Sequence, residues 1–322
     1  MNLNMTNIKK VGIVGCGHVG ATIAYTLMES GMFTEMALVD INEAKARGEA
    51  MDLNHCLPFL SPMQIYQSSY TGLEDASIII LAAGVNQKEG ETRPELLHRN
   101  VEIFRGIIER ITEVNKDCIL LVVTNPVDIL TYVTQKLSGF PAHRVIGSGT
   151  VLDTARLKYL VGSRLRVDSR NIHSFIIGEH GDSELAVWSS ANVSGIDLSD
   201  YCPISDNCGS LSDLYGIFDH VKNSAYEIIK NKGATYYAIA QATKRIIRSI
   251  INDENAILPV SALVTGHYGI NDLCMSVPAV IGRRGVEQVL DIPLNEDEKT
   301  RLAHSANTLS ELVDSLQLFA KV

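Results

Sequence analysis

The sequence predicts an α/β protein whose N-terminal half is a doubly wound parallel sheet and whose C-terminal half is α+β. Three observations lead there. A short apolar run, residues 10–15, meets a glycine-rich turn and then a helical pattern. Apolar runs and helical patterns then alternate as far as residue 147, the pattern of strand–helix–strand crossovers. Beyond that point the alternation stops, and amphipathic helices mix with β-branched runs that look antiparallel. The boundary is placed there, giving units 1–147 and 148–322, although no repeat or low-complexity linker marks it.

Bulk properties narrow the field. The chain has 322 residues, 46% hydrophobic and 20% charged, enough for a large core and two domains. Its net charge of −9, with no basic run, argues against nucleic-acid and anionic-membrane binding. No apolar stretch reaches the roughly 18 residues that a membrane span needs. Residues 1–10 lack the apolar core of a signal peptide, so a cytoplasmic location is expected. The six cysteines are scattered without a Cys-x-x-Cys pair, so neither a metal site nor a redox motif is expected. Cys202 and Cys208 flank a loop and are expected as free thiols, although nothing in the sequence excludes a bridge.

Taken in order, the elements follow from periodicity and punctuation. Residues 10–15 read as a buried strand, and residues 21–30 as a helix capped by Gly31. Between them lies Gly15-Cys16-Gly17-His18-Val19-Gly20, the G-x-G-x-x-G of a Rossmann turn. Its first glycine permits the tight turn, the second lets a pyrophosphate approach the backbone, and the third lets helix and strand pack. The helix N-terminus adds free N–H groups and a positive dipole end. The next strand, residues 36–40, ends in Asp40, about 20 residues on, where a ribose-binding carboxylate belongs. Such a carboxylate repels a 2′-phosphate, which favours NAD over NADP. Helices follow at 43–56, 94–115 and 127–137, with strands at 63–66, 77–82, 118–124 and 144–147. Ligands of such sheets bind outside the carboxyl ends of the strands. That rule aligns the glycine turn, Asp40, the segment after Ala83 and Asn125 along one edge.

Residues 83–100 form a long polar connection bearing Gln87, Lys88, Arg93 and Arg99, with Gly84 and Gly90 as candidate hinges. It reads either as a lid that carries an arginine to a bound anion or as a solvated loop. Asn125-Pro126 offers an amide to substrate or nicotinamide, or is simply a turn start. A helix opening near residue 148 carries Asp153 and Arg156 on one face, where they either pair with each other or serve separate partners. In the second case Arg156 grips a carboxylate and Asp153 turns to an imidazole. The candidate imidazole is His180, on a turn between Gly178 and Gly181, able to give and take a proton near neutrality. Later come loops and short strands over 192–208, helices at 210–231 and 233–250, strands at 256–265 and 274–282, and a terminal helix at 296–319.

Six motifs stand in order: the glycine turn, Gln87 to Arg93, Thr124-Asn125-Pro126-Val127-Asp128, Leu152-Asp153-Thr154-Ala155-Arg156, Gly178-Glu179-His180-Gly181-Asp182 and Lys232-Gly233-Ala234-Thr235. Together they resemble the L-lactate dehydrogenase branch of the lactate/malate dehydrogenase family, over essentially the whole chain. The resemblance implies reversible reduction of pyruvate by NADH, fermentative regeneration of NAD, and a homotetramer. By the same resemblance His180 is the proton donor, Asp153 holds its imidazole, and Arg156 binds the substrate carboxylate. Arg93 arrives with the loop to polarise the carbonyl, Asn125 holds substrate and nicotinamide, and Thr235 lines the pocket. The resemblance also implies a cofactor set of Gly15, Gly17, His18, Val19, Gly20, Asp40, Gly84 and Asn125, and a cis Asn125–Pro126 bond.

Gln87 is expected to set specificity. The malate branch has an arginine there to meet a second carboxylate. A neutral side chain leaves that charge unpaired in a closed pocket, at a cost of several kcal/mol. Lys158 and His173 match the Arg and His that bind fructose 1,6-bisphosphate in activated bacterial relatives. Lysine keeps the charge but loses the planar fork, so an allosteric anion site and a non-allosteric enzyme are both open. Two competing readings remain: a relative acting on malate or a branched 2-hydroxy acid, and an idle NAD-binding protein. Gln87 and Thr235 argue against the first, the retention of His180, Asp153, Arg156 and Arg93 against the second.

Overall fold

The structure is a computed structural model that describes residues 7–85 and 93–316. The first half runs β1 (Asn7–Val14), α1 (His18–Ser30), β2 (Glu35–Val39), α2 (Glu43–Cys56), β3 (Gln64–Gln67), β4 (Ala76–Leu81), α3 (Arg93–Val114), β5 (Ile119–Val122), α4 (Val127–Ser138) and β6 (Val145–Gly147). Its six strands are parallel, in the order β3-β2-β1-β4-β5-β6. The expected doubly wound sheet is therefore present.

Burial on both faces explains the continuous apolar runs. In β4, Ile78 and Ile80 pack on one face with Ile23 and Leu27 of α1, while Ile79 and Leu81 pack on the other with Phe104 and Ile108 of α3. Strand periodicity of two sends neighbours to opposite cores. Helix ends follow local chemistry. Asn42 caps α2 by accepting from Lys45 N, and Gly31 closes α1 in the left-handed conformation.

The second half contains α5 (Val151–Leu165), β7 (Ile172–His173), β8 (Ile176–Ile177), β9 (Leu185–Ala186), β10 (Asn192–Val193), β11 (Ile196–Asp197), α6 (Leu198–Ile204), α7 (Leu211–Lys232), α8 (Tyr237–Ile251), β12 (Ala256–His267), β13 (Ile270–Gly282), β14 (Gly285–Val289) and α9 (Glu296–Ser315). The long antiparallel strands extend the same sheet to nine strands, joined to β6 at the pair Ser261–Gly147. Helices α5, α6 and α7 enclose a separate apolar cluster built on Leu157, Leu214 and Phe218.

Three features depart from expectation. Cys202 and Cys208 form a disulfide rather than two free thiols, while Cys16, Cys56, Cys118 and Cys274 are free. The turn after α6 bends the chain back, with Ser205 N on Cys202 O and Cys208 N on Ser205 O, and brings the two Cα atoms to 5.2 Å, within bridging range. The segment 192–208 holds a helix, α6, with Pro203 inside it. Strand β14 is an added edge whose Gly-Val-Glu-Gln-Val sequence is too short and polar to announce itself. Among the described residues no helix is long and apolar enough to cross a membrane.

Candidate active site

The glycine turn and the histidine turn are both held by side chains from distant elements. Gly15 sits at φ +99°, and a Cβ on Gly20 would lie 1.8 Å from Gly15 O, so both positions require glycine. A Cβ on Gly17 would meet nothing within 4 Å, which leaves open space above the loop. Gly17 caps α1 without a side-chain hydrogen bond, so the first-turn N–H groups are available to an anion. His18 is exposed and Val19 half-buried at the same turn, and the His18 ring stacks on Tyr236 with centroids 5.5 Å apart. Asp40 follows β2. Its Oδ2 accepts from Cys16 N at 2.7 Å and its Oδ1 from Asn42 N at 2.8 Å. The ribose-binding candidate thus also fastens the glycine loop. These residues fit a dinucleotide: an open phosphate cradle, a helix N-terminus and an oriented carboxylate.

At the ends of β4 and β5, Thr124 Oγ1 donates to Ala83 O at 2.8 Å, and Val85 N donates to Asn100 Oδ1 at 3.0 Å. Both bonds pin the base of the long connection beside Gly84. Gln87 lies outside the described residues. Arg93 opens α3, but its side chain also lies outside what is described. Asn125 is exposed at the end of β5, before a cis bond to Pro126. Thr235 is half-buried in the segment between α7 and α8, next to Tyr236.

His180 occupies the turn between β8 and β9. Gly178, at φ +97°, exchanges two backbone hydrogen bonds of 2.9 Å with Ser276 of β13. Glu179 N donates to Ser305 Oγ of α9 at 2.7 Å, and His180 N donates to Asp128 Oδ2 of α4 at 2.6 Å. The imidazole Nδ1 then meets Asp153 Oδ2 at 2.7 Å, while Asp153 Oδ1 accepts from Arg156 Nη1 at 2.8 Å. The two readings of Asp153 and Arg156 are therefore both realised: one carboxylate joins the arginine and the histidine.

Electrostatics follow from this packing. Burial alone would lower the His180 pKa, but the charge and hydrogen bond of Asp153, with Asp128 and Glu184 adding, reverse that and lift it to about 9. Burial would raise Asp153, yet His180 and Arg156 bring it below the ordinary carboxylate range. The wholly enclosed Asp128 is pushed up to about 6 by burial, against the His180 N–H it accepts. With its pKa lifted in this way and its side chain 24% exposed, the imidazole is able to give a proton to a bound group.

The family pattern for the lactate/malate dehydrogenase NAD binding domain matches residues 9–147, and that for the α/β C-terminal domain matches residues 150–319. The chain belongs to the lactate/malate dehydrogenase family. Within it, the L-lactate dehydrogenase of Acetivibrio thermocellus is 54% identical over 318 residues, covering 99% of this chain and 100% of that protein. L-lactate dehydrogenase 1 of Clostridium acetobutylicum is 50% identical, covering 95% and 98%. Among solved structures, a lactate dehydrogenase from a Medee basin deep-sea metagenome library superposes with a TM-score of 0.94 at 46% identity, over 96% and 99% of the two chains. The minor L-lactate dehydrogenase of Enterococcus mundtii, in a ligand-bound form, gives 0.93 at 42%, over 97% and 99%.

Two carboxylates of this lactate/malate dehydrogenase family site escaped the sequence reading. Asp128 closes the Thr124–Asp128 motif and holds the His180 backbone N–H. Glu184 is 4% exposed beside the imidazole. Only a motif neighbourhood marked them, since burial of an acid depends on packing from afar. The allosteric pair is less distinctive. Lys158 is half-buried on α5, its pKa lowered by burial, and His173 is exposed on β7.

Proposed function

We propose that the chain reduces pyruvate to L-lactate, and runs the reverse reaction, as an NAD-dependent L-lactate dehydrogenase. The observation that carries the reading is the Arg156–Asp153–His180 chain, with bonds of 2.8 and 2.7 Å, on a rigid turn of a dinucleotide-binding fold. When bound, the reduced nicotinamide supplies the hydride. His180 gives its Nε2 proton to the carbonyl oxygen, and Asp153 stabilises the imidazolium before transfer. Arg156 meets the substrate carboxylate with the part of its fork that Asp153 leaves open. Arg93 polarises the carbonyl, Gln87 excludes a second carboxylate, and Asn125 and Thr235 complete the pocket. Gly15, Gly17, His18, Val19, Gly20, Asp40 and Gly84 receive NAD.

In this reading residues 1–147 hold the cofactor and residues 148–322 the acid and the substrate carboxylate. The protein works in the cytoplasm as a homotetramer and regenerates NAD during fermentation. Lys158 and His173 are the candidate pair for the phosphates of fructose 1,6-bisphosphate, with a non-allosteric enzyme as the alternative.

The test compares rates on pyruvate, oxaloacetate and 2-ketoisocaproate with NADH, with and without fructose 1,6-bisphosphate. Pyruvate is expected to lead oxaloacetate by at least about a hundredfold in kcat/KM, the scale set by an unpaired buried charge, and to lead 2-ketoisocaproate by a smaller factor set by pocket size. Gln87→Arg should move the preference toward oxaloacetate. His180→Asn should keep NADH binding and lose nearly all turnover; near-normal turnover would reject the assigned proton donor.

A further inference from the structure

Glu184 is an acid in an unusual place. It lies one residue before β9, whose pairing with β8 through Ile177 and Leu185 fixes its position. Only 4% of it is exposed. One ligand-type atom from each of Asp153, His180 and Glu184 lies within 4.8 Å of the other two. Two carboxylates and one imidazole therefore share a single buried spot, although one carboxylate suffices to orient the ring.

We propose that Glu184, buried within 4.8 Å of both Asp153 and His180, is a positioning residue whose charge keeps His180 protonated to higher pH. The proposal rests on His180 being the proton donor of the reaction. It concerns a residue that acts through the imidazole and does not touch the substrate.

The charge count explains the behaviour. Asp128, Asp153, Arg156 and protonated His180 together sum to zero, and Lys222 adds a positive charge from α7. A further negative charge in that setting is disfavoured by burial first and by Asp153 second, while His180, Lys222 and Arg156 favour it; the balance pushes Glu184 up to about 8. The charged groups that act on it come from α5, α7 and the histidine turn. Asp153 and Arg156 face it from α5 and Lys222 from α7, while Asp128 of α4 acts on the shared imidazole. Lys222 Nζ donates to Asp182 O at 2.8 Å, which holds its charge near the same turn. Once Glu184 ionises, a further negative charge lies within 4.8 Å of the imidazole, and removing the His180 proton becomes harder. Reduction of a keto acid needs that proton, whereas oxidation of a hydroxy acid needs a neutral imidazole. The arrangement therefore biases the enzyme toward reduction in alkaline medium.

The test uses Glu184→Gln, which keeps the shape and hydrogen bonding of a carboxylic acid but cannot ionise. The readout is the pH profile of kcat/KM for pyruvate at saturating NADH, normalised to each enzyme's own acid plateau. The alkaline midpoint is expected to fall by about one pH unit, the size of one charge at this separation in a partly screened site. Lactate oxidation should begin at correspondingly lower pH. Glu184→Thr, equally unable to ionise, must show the same displacement and serves if the first variant fails to fold. An unmoved midpoint, or a loss of equal size at every pH, overturns the proposal. Near-normal turnover of His180→Asn overturns it together with the reading it rests on. An inactive His180→Asn with an unmoved Glu184→Gln midpoint overturns the role of Glu184 alone.

Discussion

Asp153 spends its two oxygens on two different partners, and the chemistry of the site follows from that division. Oδ2 raises the basicity of His180, while Oδ1 fixes one edge of Arg156 and leaves the rest of the fork for a carboxylate. Asp153→Asn should therefore cost at least about a hundredfold in kcat/KM for pyruvate, because both the imidazolium and the arginine lose their anchor. Its alkaline midpoint should fall below that of the parent, read from the same pH profile. Stability carries a second signature. His180 is raised from 6.5 to about 9, and Glu184 from 4.5 to about 8. A raised pKa favours the folded state below the unfolded value, and that support is lost as pH rises through the folded value. The His180 contribution thus fades between pH 6.5 and 9, while ionising the buried Glu184 costs stability progressively between pH 4.5 and 8. Glu184→Gln should be more resistant to urea than the parent at pH 8 and equal to it at pH 4; the same difference at both pH values would contradict the assignment. Much of this residue chemistry was legible. His180, Asp153 and Arg156 stood out by residue type and by glycine or helical spacing. Asp128 and Glu184 did not, because what makes them unusual is enclosure by α4, α5, β9 and β13 together.

At the scale of elements, the histidine turn is short but fastened on several sides. Bonds run from Gly178 to Ser276, from Glu179 to Ser305 and from His180 to Asp128. Such a turn places the imidazole without a helix or long strand to carry it. Gly178→Ala tests the fastening. The position has φ +97°, and a Cβ would come within 2.7 Å of Ser305 Oγ. The variant should lose about 1–3 kcal/mol of stability in denaturant titration, with a fall in kcat larger than any change in KM for NADH. Elements with a strong period were readable from sequence: α2 begins and ends where residues 43–56 predict, and α4 extends one residue beyond its expected end. The two-residue strands β7 to β11 carry no period at all, and α6 hides behind an internal proline. Their conformations are set by the partners they meet.

At the scale of the molecule, the notable fact is that both halves contribute to one sheet. The antiparallel trio joins the parallel strands through Ser261 and Gly147. The two apolar cores each draw side chains from both halves. Residues on either side of position 147 should therefore unfold together. Trp188 is the single tryptophan and lies in the second half. Its fluorescence and the far-UV circular dichroism of the whole chain should give the same thermal midpoint; two separated transitions would show that the halves are independent. The winding of the parallel sheet was evident in the alternation of apolar and helical runs. The merger of the second half into it was not, because strand pairing between distant segments leaves no local mark.

Asp40 ties the choice of cofactor to the architecture of the loop that receives it. In the proposed function its carboxylate refuses a 2′-phosphate, and the same group holds Cys16 N and Asn42 N. An engineer who wants this dehydrogenase to run on the phosphorylated cofactor cannot simply delete the negative charge. Asp40→Ala removes the repulsion but frees the first turn of the cradle, so the phosphorylated and unphosphorylated forms should both bind more weakly. A workable redesign keeps a short neutral acceptor at position 40, as in Asp40→Ser, and introduces the phosphate-binding cation from a different residue.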